Sequence, residues 1–312
     1  MEIAIGIILG VAVLVLLTAF ICFMRVFYIP TRKILKDDEF EIPPDDIYQE
    51  MRDELIGWMK AIRGKETKQF TITSFDGLTL YGYYYEYEKG APIELLFHGY
   101  QGSAERDLSA AVERCFALGR SAILIDQRAG GRSDGHVTTF GVNEHKDCLR
   151  WIDFAIEKFG ADVKLYIGGV SMGAATVMMA GGKGLPKNVV YVLADCGYSS
   201  QAEMIQKVIK EMKLPVKFLY PFVKLGAKIF GRFDLEETTP IESIKNCKTP
   251  IIFLHGDNDT LVPCEMSERL YNECPAPKKF AKIKGAGHGL AYPKDKESYL
   301  NAIKEFDQEL GL

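Results

Sequence analysis

Residues 163–177 read Val163-Lys164-Leu165-Tyr166-Ile167-Gly168-Gly169-Val170-Ser171-Met172-Gly173-Ala174-Ala175-Thr176-Val177. The run from Val163 to Ile167 has strand character and residues 172 to 181 read as a helix, so Ser171 stands where a strand turns sharply into a helix. Gly169 and Gly173 flank it in a Gly-x-Ser-x-Gly pattern. Such a turn needs glycine on both sides because it leaves no room for side chains beside a strained serine. The pentapeptide alone is a weak signal, since roughly a tenth of chains this long carry one by chance. The strand before it and the helix after it make Ser171 a candidate nucleophile.

Hydrolases with such an elbow carry the acid and then the histidine later in the chain. The histidines are at 98, 136, 145, 255 and 288, and two of them, His255 and His288, follow Ser171. His288 lies in Gly285-Ala286-Gly287-His288-Gly289, after the last apolar run, on a loop able to lay an imidazole beside a serine. His255 ends a strand before Gly256 and reads as a structural hydrogen-bonding residue. Asp257 and Asp259 both follow that strand, and spacing does not choose between them. Upstream, Ile93 to Phe97 ends in His98-Gly99-Tyr100-Gln101-Gly102-Ser103. This is where such a site draws its second oxyanion N–H, the first coming from the residue after the nucleophile. Tyr100 N–H and Met172 N–H are the candidate donors, and His98-Gly99 itself reads as a tight turn with a buried histidine.

Working outward, short apolar runs at 93–97, 122–125, 163–167, 189–194, 251–254 and 280–283 alternate with helical patterns near 103–118, 143–159, 172–181, 263–273 and 294–310. That alternation is the sequence form of an α/β protein with a mostly parallel central sheet and helices on both faces. Before it, period-two stretches at 69–75 and 78–87 around Asp76-Gly77 predict an N-terminal antiparallel hairpin. Residues 197–247 break the rhythm and predict an inserted helical cap. Its Phe218, Tyr220, Phe222, Phe230 and Phe233 either line an apolar acyl pocket or pack helices together.

The chain of 312 residues is 47% hydrophobic, enough for a well-buried core. With 38 Lys+Arg against 42 Asp+Glu and no basic stripe, nucleic acid is excluded as an expected partner. Seven scattered cysteines, none in C-x-x-C spacing, point to neither a disulfide framework nor a zinc site. Ile3 to Met24 runs 22 residues without a charge, about 33 Å as a helix and long enough to cross a bilayer. Residues 1–26 are thus expected to be a single-pass transmembrane anchor in the cell membrane. Arg25, Arg32, Lys33 and Lys36 follow it and place the catalytic bulk in the cytoplasm. Residues 27–65 form a juxtamembrane connector with a helix at about 45–62, and 66–312 the catalytic domain.

Asp126-Gln127-Arg128-Ala129-Gly130-Gly131-Arg132-Ser133, His98-Gly99, the elbow, His255-Gly256-x-x-Asp259-x-x-Val262-Pro263 and Gly287-His288 together resemble the α/β-hydrolase superfamily. The likeness is closest to its bacterial membrane-anchored branch of serine aminopeptidase-like or lysophospholipase-like hydrolases, and covers about residues 66 to 312. It implies the α/β-hydrolase fold, Asp259 rather than Asp257 as the acid, His288 as the base, and Tyr100 and Met172 as oxyanion donors. Gly130 departs from the pattern, since many relatives carry histidine there. The expected activity is hydrolysis of a carboxylic ester, such as an acyl or lysolipid ester, through an acyl-enzyme. A peptidase of the same fold and a non-catalytic scaffold are the alternatives. The sequence calls for no cofactor and no metal, and it leaves the oligomeric state open.

Overall fold

The structure, a computed structural model, describes residues 1–30, 36 and 38–312. Arg32, Lys33 and Asp37 from the charged stretch after the apolar span lie outside the described residues. An apolar helix α1 (Glu2–Val26) is followed by the short α2 (Asp46–Gln49) and by α3 (Arg52–Arg63). The expected connector helix is therefore broken, at Glu50 and Met51, so that Ile47 and Tyr48 face one part of the domain while Trp58, Met59 and Ile62 are buried elsewhere.

The sheet begins with β1 (Lys68–Thr73), β2 (Thr79–Tyr85) and β3 (Ile93–Phe97). After it come α4 (Ala104–Ala117), β4 (Ser121–Asp126), α5 (Glu144–Phe159), β5 (Leu165–Val170), α6 (Met172–Gly181) and β6 (Val189–Asp195). Three helices follow: α7 (Gln201–Glu211), α8 (Val216–Ile229) and α9 (Pro240–Ile244). The chain then closes with β7 (Ile251–Gly256), α10 (Cys264–Glu273), β8 (Lys278–Ile283), α11 (Ala291–Lys294) and α12 (Lys296–Glu309). The helix expected over 294–310 starts later because the Asp295 carboxylate accepts from Ser298 N–H and caps α12.

The strands form one sheet in the order β1-β2-β4-β3-β5-β6-β7-β8. The β1/β2 and β2/β4 pairs are antiparallel and the rest parallel. This is the α/β-hydrolase fold. Strands β3, β4 and β7 are buried at every residue because both faces are covered. Leu95, Phe97, Ile123, Ile125, Ile167, Val192 and Phe253 pack on α5, α6 and α10. Their alternates Leu96 and Leu124 meet α4, and Tyr191, Leu193, Ile252 and Leu254 meet α12. From β3 the chain moves one way to β4 and then back across to β5, so the carboxyl ends of β3 and β5 diverge at a topological switch point, where open α/β sheets place their sites.

Most of α1 is exposed apolar surface, but near its C-terminal end Ala19 and Phe23 are buried against α8. A side chain at Gly226 would place its Cβ 2.4 Å from the Ala19 carbonyl oxygen, so glycine there sets how closely the two helices approach. Phe20 and Phe23 meet the Phe230 ring at 5.1 and 5.9 Å between centroids, and Phe27 meets Phe140 and Phe233 edge-on. Of the five aromatics read as a possible acyl wall, Phe230 and Phe233 thus pack against the α1 end. Tyr220 donates to Glu236, and Phe218 meets the Phe222 ring at a tilt, with 60% of its surface exposed.

Candidate active site

Strand β5 runs three residues further than its apolar pattern suggests, through Gly168 to Val170, and pairs Gly168 with Leu96 and Gly169 with Phe97 of β3. Ser171 then adopts φ 56° and ψ −114°, a conformation that costs a non-glycine residue on the order of 1–3 kcal/mol. A Cβ at Gly169 would lie 2.2 Å from the Gly173 carbonyl, and one at Gly173 would lie 1.9 Å from the Phe97 carbonyl oxygen. The flanking glycines are therefore required by contact with backbone, which cannot give way.

The structure brings together the serine, the histidine and one of the two aspartates. Ser171 Oγ lies 2.9 Å from His288 Nε2, and His288 Nδ1 lies 2.7 Å from Asp259 Oδ2. Asp259 Oδ1 accepts from the N–H groups of Leu261 and Val262, and His255 Nε2 stands 3.2 Å from Oδ2. Burial opposes ionisation of Asp259, yet the hydrogen bonds from His255 and His288 outweigh it and hold the carboxyl well below the usual carboxylate range. Asp257 is used differently: its Oδ1 accepts from Gly285 N–H and pins the loop that carries His288. His255 is fully buried between Ser267 Oγ and the Val262 carbonyl.

Cys196, Asp259 and His288 each place a ligand-type atom within 4.8 Å of the others. Both imidazole nitrogens already face partners, and burial pushes the Cys196 thiol well up. The arrangement suits proton transfer better than metal binding.

The loop after β3 lies against the serine, a Cβ at Gly99 falling 3.6 Å from Ser171 Cβ. Met172 is the first residue of α6, where backbone N–H groups have no partner within the helix. Sequence reasoning missed what holds this loop. Asp107 Oδ2 accepts from Gly99 N–H at 3.0 Å, and a Cβ at Gly102 would fall 1.9 Å from that same oxygen. Burial raises the Asp107 pKa, but the charge and hydrogen bond of Arg106 bring it below the ordinary value. The available signal was an acid one turn into the helix after the Gly-Tyr-Gln-Gly loop, which looks like ordinary complement to a helix dipole.

His98 is buried, with Nδ1 2.8 Å from the Gly99 carbonyl and Nε2 accepting from Gln127 N–H. Its ring fills the place that a side chain at 130 would take, since a Cβ there would lie 2.5 Å from His98 Nε2, and this accounts for Gly130. Asp126 Oδ1 accepts from Ala104 N–H, tying the end of β4 to the start of α4. The connector also reaches the site: the Tyr48 hydroxyl donates to the His288 carbonyl at 2.9 Å.

The family described as Serine hydrolase (FSH1) matches residues 168–297, which include Ser171, Asp259 and His288. The chain is a serine hydrolase of the α/β-hydrolase superfamily. This hydrolase is 25% identical over 263 residues to the uncharacterized protein YqkD of Bacillus subtilis (strain 168), covering 84% of the chain and 86% of the relative. It is 24% identical over 196 residues to the lysophosphatidylserine lipase ABHD12 of Danio rerio, covering 60% of the hydrolase and 48% of the relative. In fold it resembles the Pyrococcus furiosus esterase Pf2001, with a TM-score of 0.67 at 21% identity over 91% of this chain and 98% of that one.

Proposed function

We propose that this hydrolase cleaves carboxylic esters of acyl or lysolipid type through an acyl-enzyme on Ser171, held at the membrane by α1 with the catalytic domain in the cytoplasm. The observation that carries the reading is the continuous hydrogen-bonded line from Ser171 Oγ through the His288 ring to Asp259. In the proposed reaction His288 Nε2 takes the hydroxyl proton as Ser171 attacks the ester carbonyl. Asp259 orients the ring and balances its charge. The N–H groups of Tyr100 and Met172 receive the oxyanion. His288 then returns the proton to the leaving alcohol, and water releases the acyl group by the same steps in reverse.

Two observations support a lipid-derived substrate. A relative at 24% identity bears the name of a lysophosphatidylserine lipase. The site also sits directly under the end of α1, since the Tyr100 ring stacks on Phe140 at 4.9 Å and Phe140 meets Phe27. The test is a panel of acyl esters of rising chain length set beside aminoacyl amides, using the full chain in detergent. A kcat/KM that rises with acyl length supports the reading, and a preference for aminoacyl amides would replace it with the peptidase alternative.

A further inference from the structure

The segment from Lys210 to Ile229 has two apolar faces, and α1 covers one of them. On α8, Leu219, Val223, Gly226 and Phe230 just beyond it look toward α1 and the hydrophobic core. A second stripe, Phe218, Phe222, Leu225 and Ile229, follows helical spacing and lies roughly a quarter turn round the helix from the first. Its ends are open: Phe218 is 60% and Ile229 44% exposed, and Met212, just before the helix, is 64% exposed. Lys217, Lys224 and Lys228 form a third line along the helix, and α8 contains no acidic residue. Lys224 pairs with Glu236, while Lys217 and Lys228 are exposed, as are Lys210 and Lys213 ahead of the helix.

An apolar stripe edged by lysines is the pattern of a helix lying in a membrane interface. We infer that α8 rests its Phe218–Ile229 stripe in the headgroup and upper acyl layer of an anionic bilayer, alongside α1. This rests on the reading of α1 as a membrane span. The depth agrees. Gly226 touches α1 at Ala19, five residues before Met24 at the end of the apolar run, which places the contact about 7 Å inside the span. Interfacial helices settle about 5–10 Å deep. The apolar surface is continuous across the two helices through Phe20, itself partly exposed, and Phe230. The domain is thus seated on the bilayer by its β6–β7 insertion as well as tethered to it, with the Tyr100 side of the site toward the lipid.

The test uses the full chain in vesicles of phosphatidylcholine and phosphatidylglycerol, with and without brominated acyl chains. Three single variants are compared with the parent, whose Trp58 and Trp151 are buried: Phe218→Trp on α8, Leu9→Trp in α1, and Tyr87→Trp, an exposed site just past the end of β2. The inference requires that brominated lipid quench the added emission at 218 and at 9 by about half or more and leave that at 87 unchanged. Quenching at 9 without quenching at 218 overturns the inference and leaves the anchor standing, as when a second copy of the chain covers the stripe. No quenching at 9 removes the anchor reading and the inference with it.

Discussion

The Tyr100 hydroxyl donates to the Val26 carbonyl oxygen over 2.8 Å, joining the loop beside the nucleophile to the last turn of the N-terminal helix. The same turn buries Phe23 and, just past it, Phe27, and Phe27 packs on Phe140 beneath the Tyr100 ring. A helix that looks like a detachable anchor is therefore part of the wall of the site.

Removing residues 1–26 is accordingly expected to damage the enzyme, apart from any effect on the proposed membrane attachment. The fragment should show a lower Tm and at least a tenfold loss in kcat/KM, in keeping with what a displacement of about 1 Å near the chemistry can cost. Tyr100→Phe in the full chain should lose about 1 kcal/mol, the worth of one hydrogen bond, measured by denaturant unfolding in detergent. A fragment with full activity and an unchanged Tm would show that α1 serves only as a tether.

The two aspartates of the β7 loop should separate cleanly. Asp259→Asn, which spoils the orientation and charge balance of His288, is expected to lower kcat by about four orders of magnitude. Asp257→Asn disturbs only the anchor of Gly285 and should cost less than about tenfold. Steady-state kinetics on one activated ester decides, and comparable losses at the two positions would remove the distinction.

Most of the architecture was legible in the sequence because the central strands β3, β4 and β7 are buried on both faces, so apolar runs mark them directly, whereas the edge strand β8 is half-buried and its apolar run covers only its last four residues. The elbow was legible for a related reason: Gly169 and Gly173 face backbone atoms and admit no alternative. Asp107 was not legible, because its role depends on the loop folding back over the first turn of α4, and no periodicity records that. The cap aromatics left two readings open, a pocket wall or helix packing, and the sequence did not say which helix they would meet. Phe230 and Phe233 face α1, which lies about two hundred residues away in sequence, and Phe218 faces outward.

Asp107 is a positioning residue, and its replacement should show it. Asp107→Ala removes the acceptor for Gly99 N–H, so kcat should fall by ten- to a hundredfold with a smaller change in KM. Equal loss in both parameters through unfolding would appear as a collapsed Tm and contradict the assignment.

Asp195 offers a test of stability against pH. It is buried at the end of β6, and burial pushes its pKa from 3.8 up to about 6, the Tyr299 hydroxyl offsetting part of the effect while Oδ1 has no hydrogen-bond partner among the described residues. A carboxyl raised in the folded state contributes stability below its unfolded pKa and loses it as pH rises through the folded one. Two units correspond to about 3 kcal/mol lost between pH 4 and pH 8. Asp195→Asn keeps an acceptor for Tyr299 and removes the ionisation. Its Tm relative to the parent should therefore climb by several degrees across that interval in thermal scans. A pH-independent difference would mean that Asp195 ionises normally.

The most direct measurement is labelling of the full chain in detergent with a fluorophosphonate probe, comparing the parent with Ser171→Ala. The account predicts stoichiometric labelling of the parent, none of the variant, and a loss in ester turnover on the order of 10⁴ to 10⁶. Labelling that survives the substitution, or a folded parent that takes no label, would contradict Ser171 as the nucleophile.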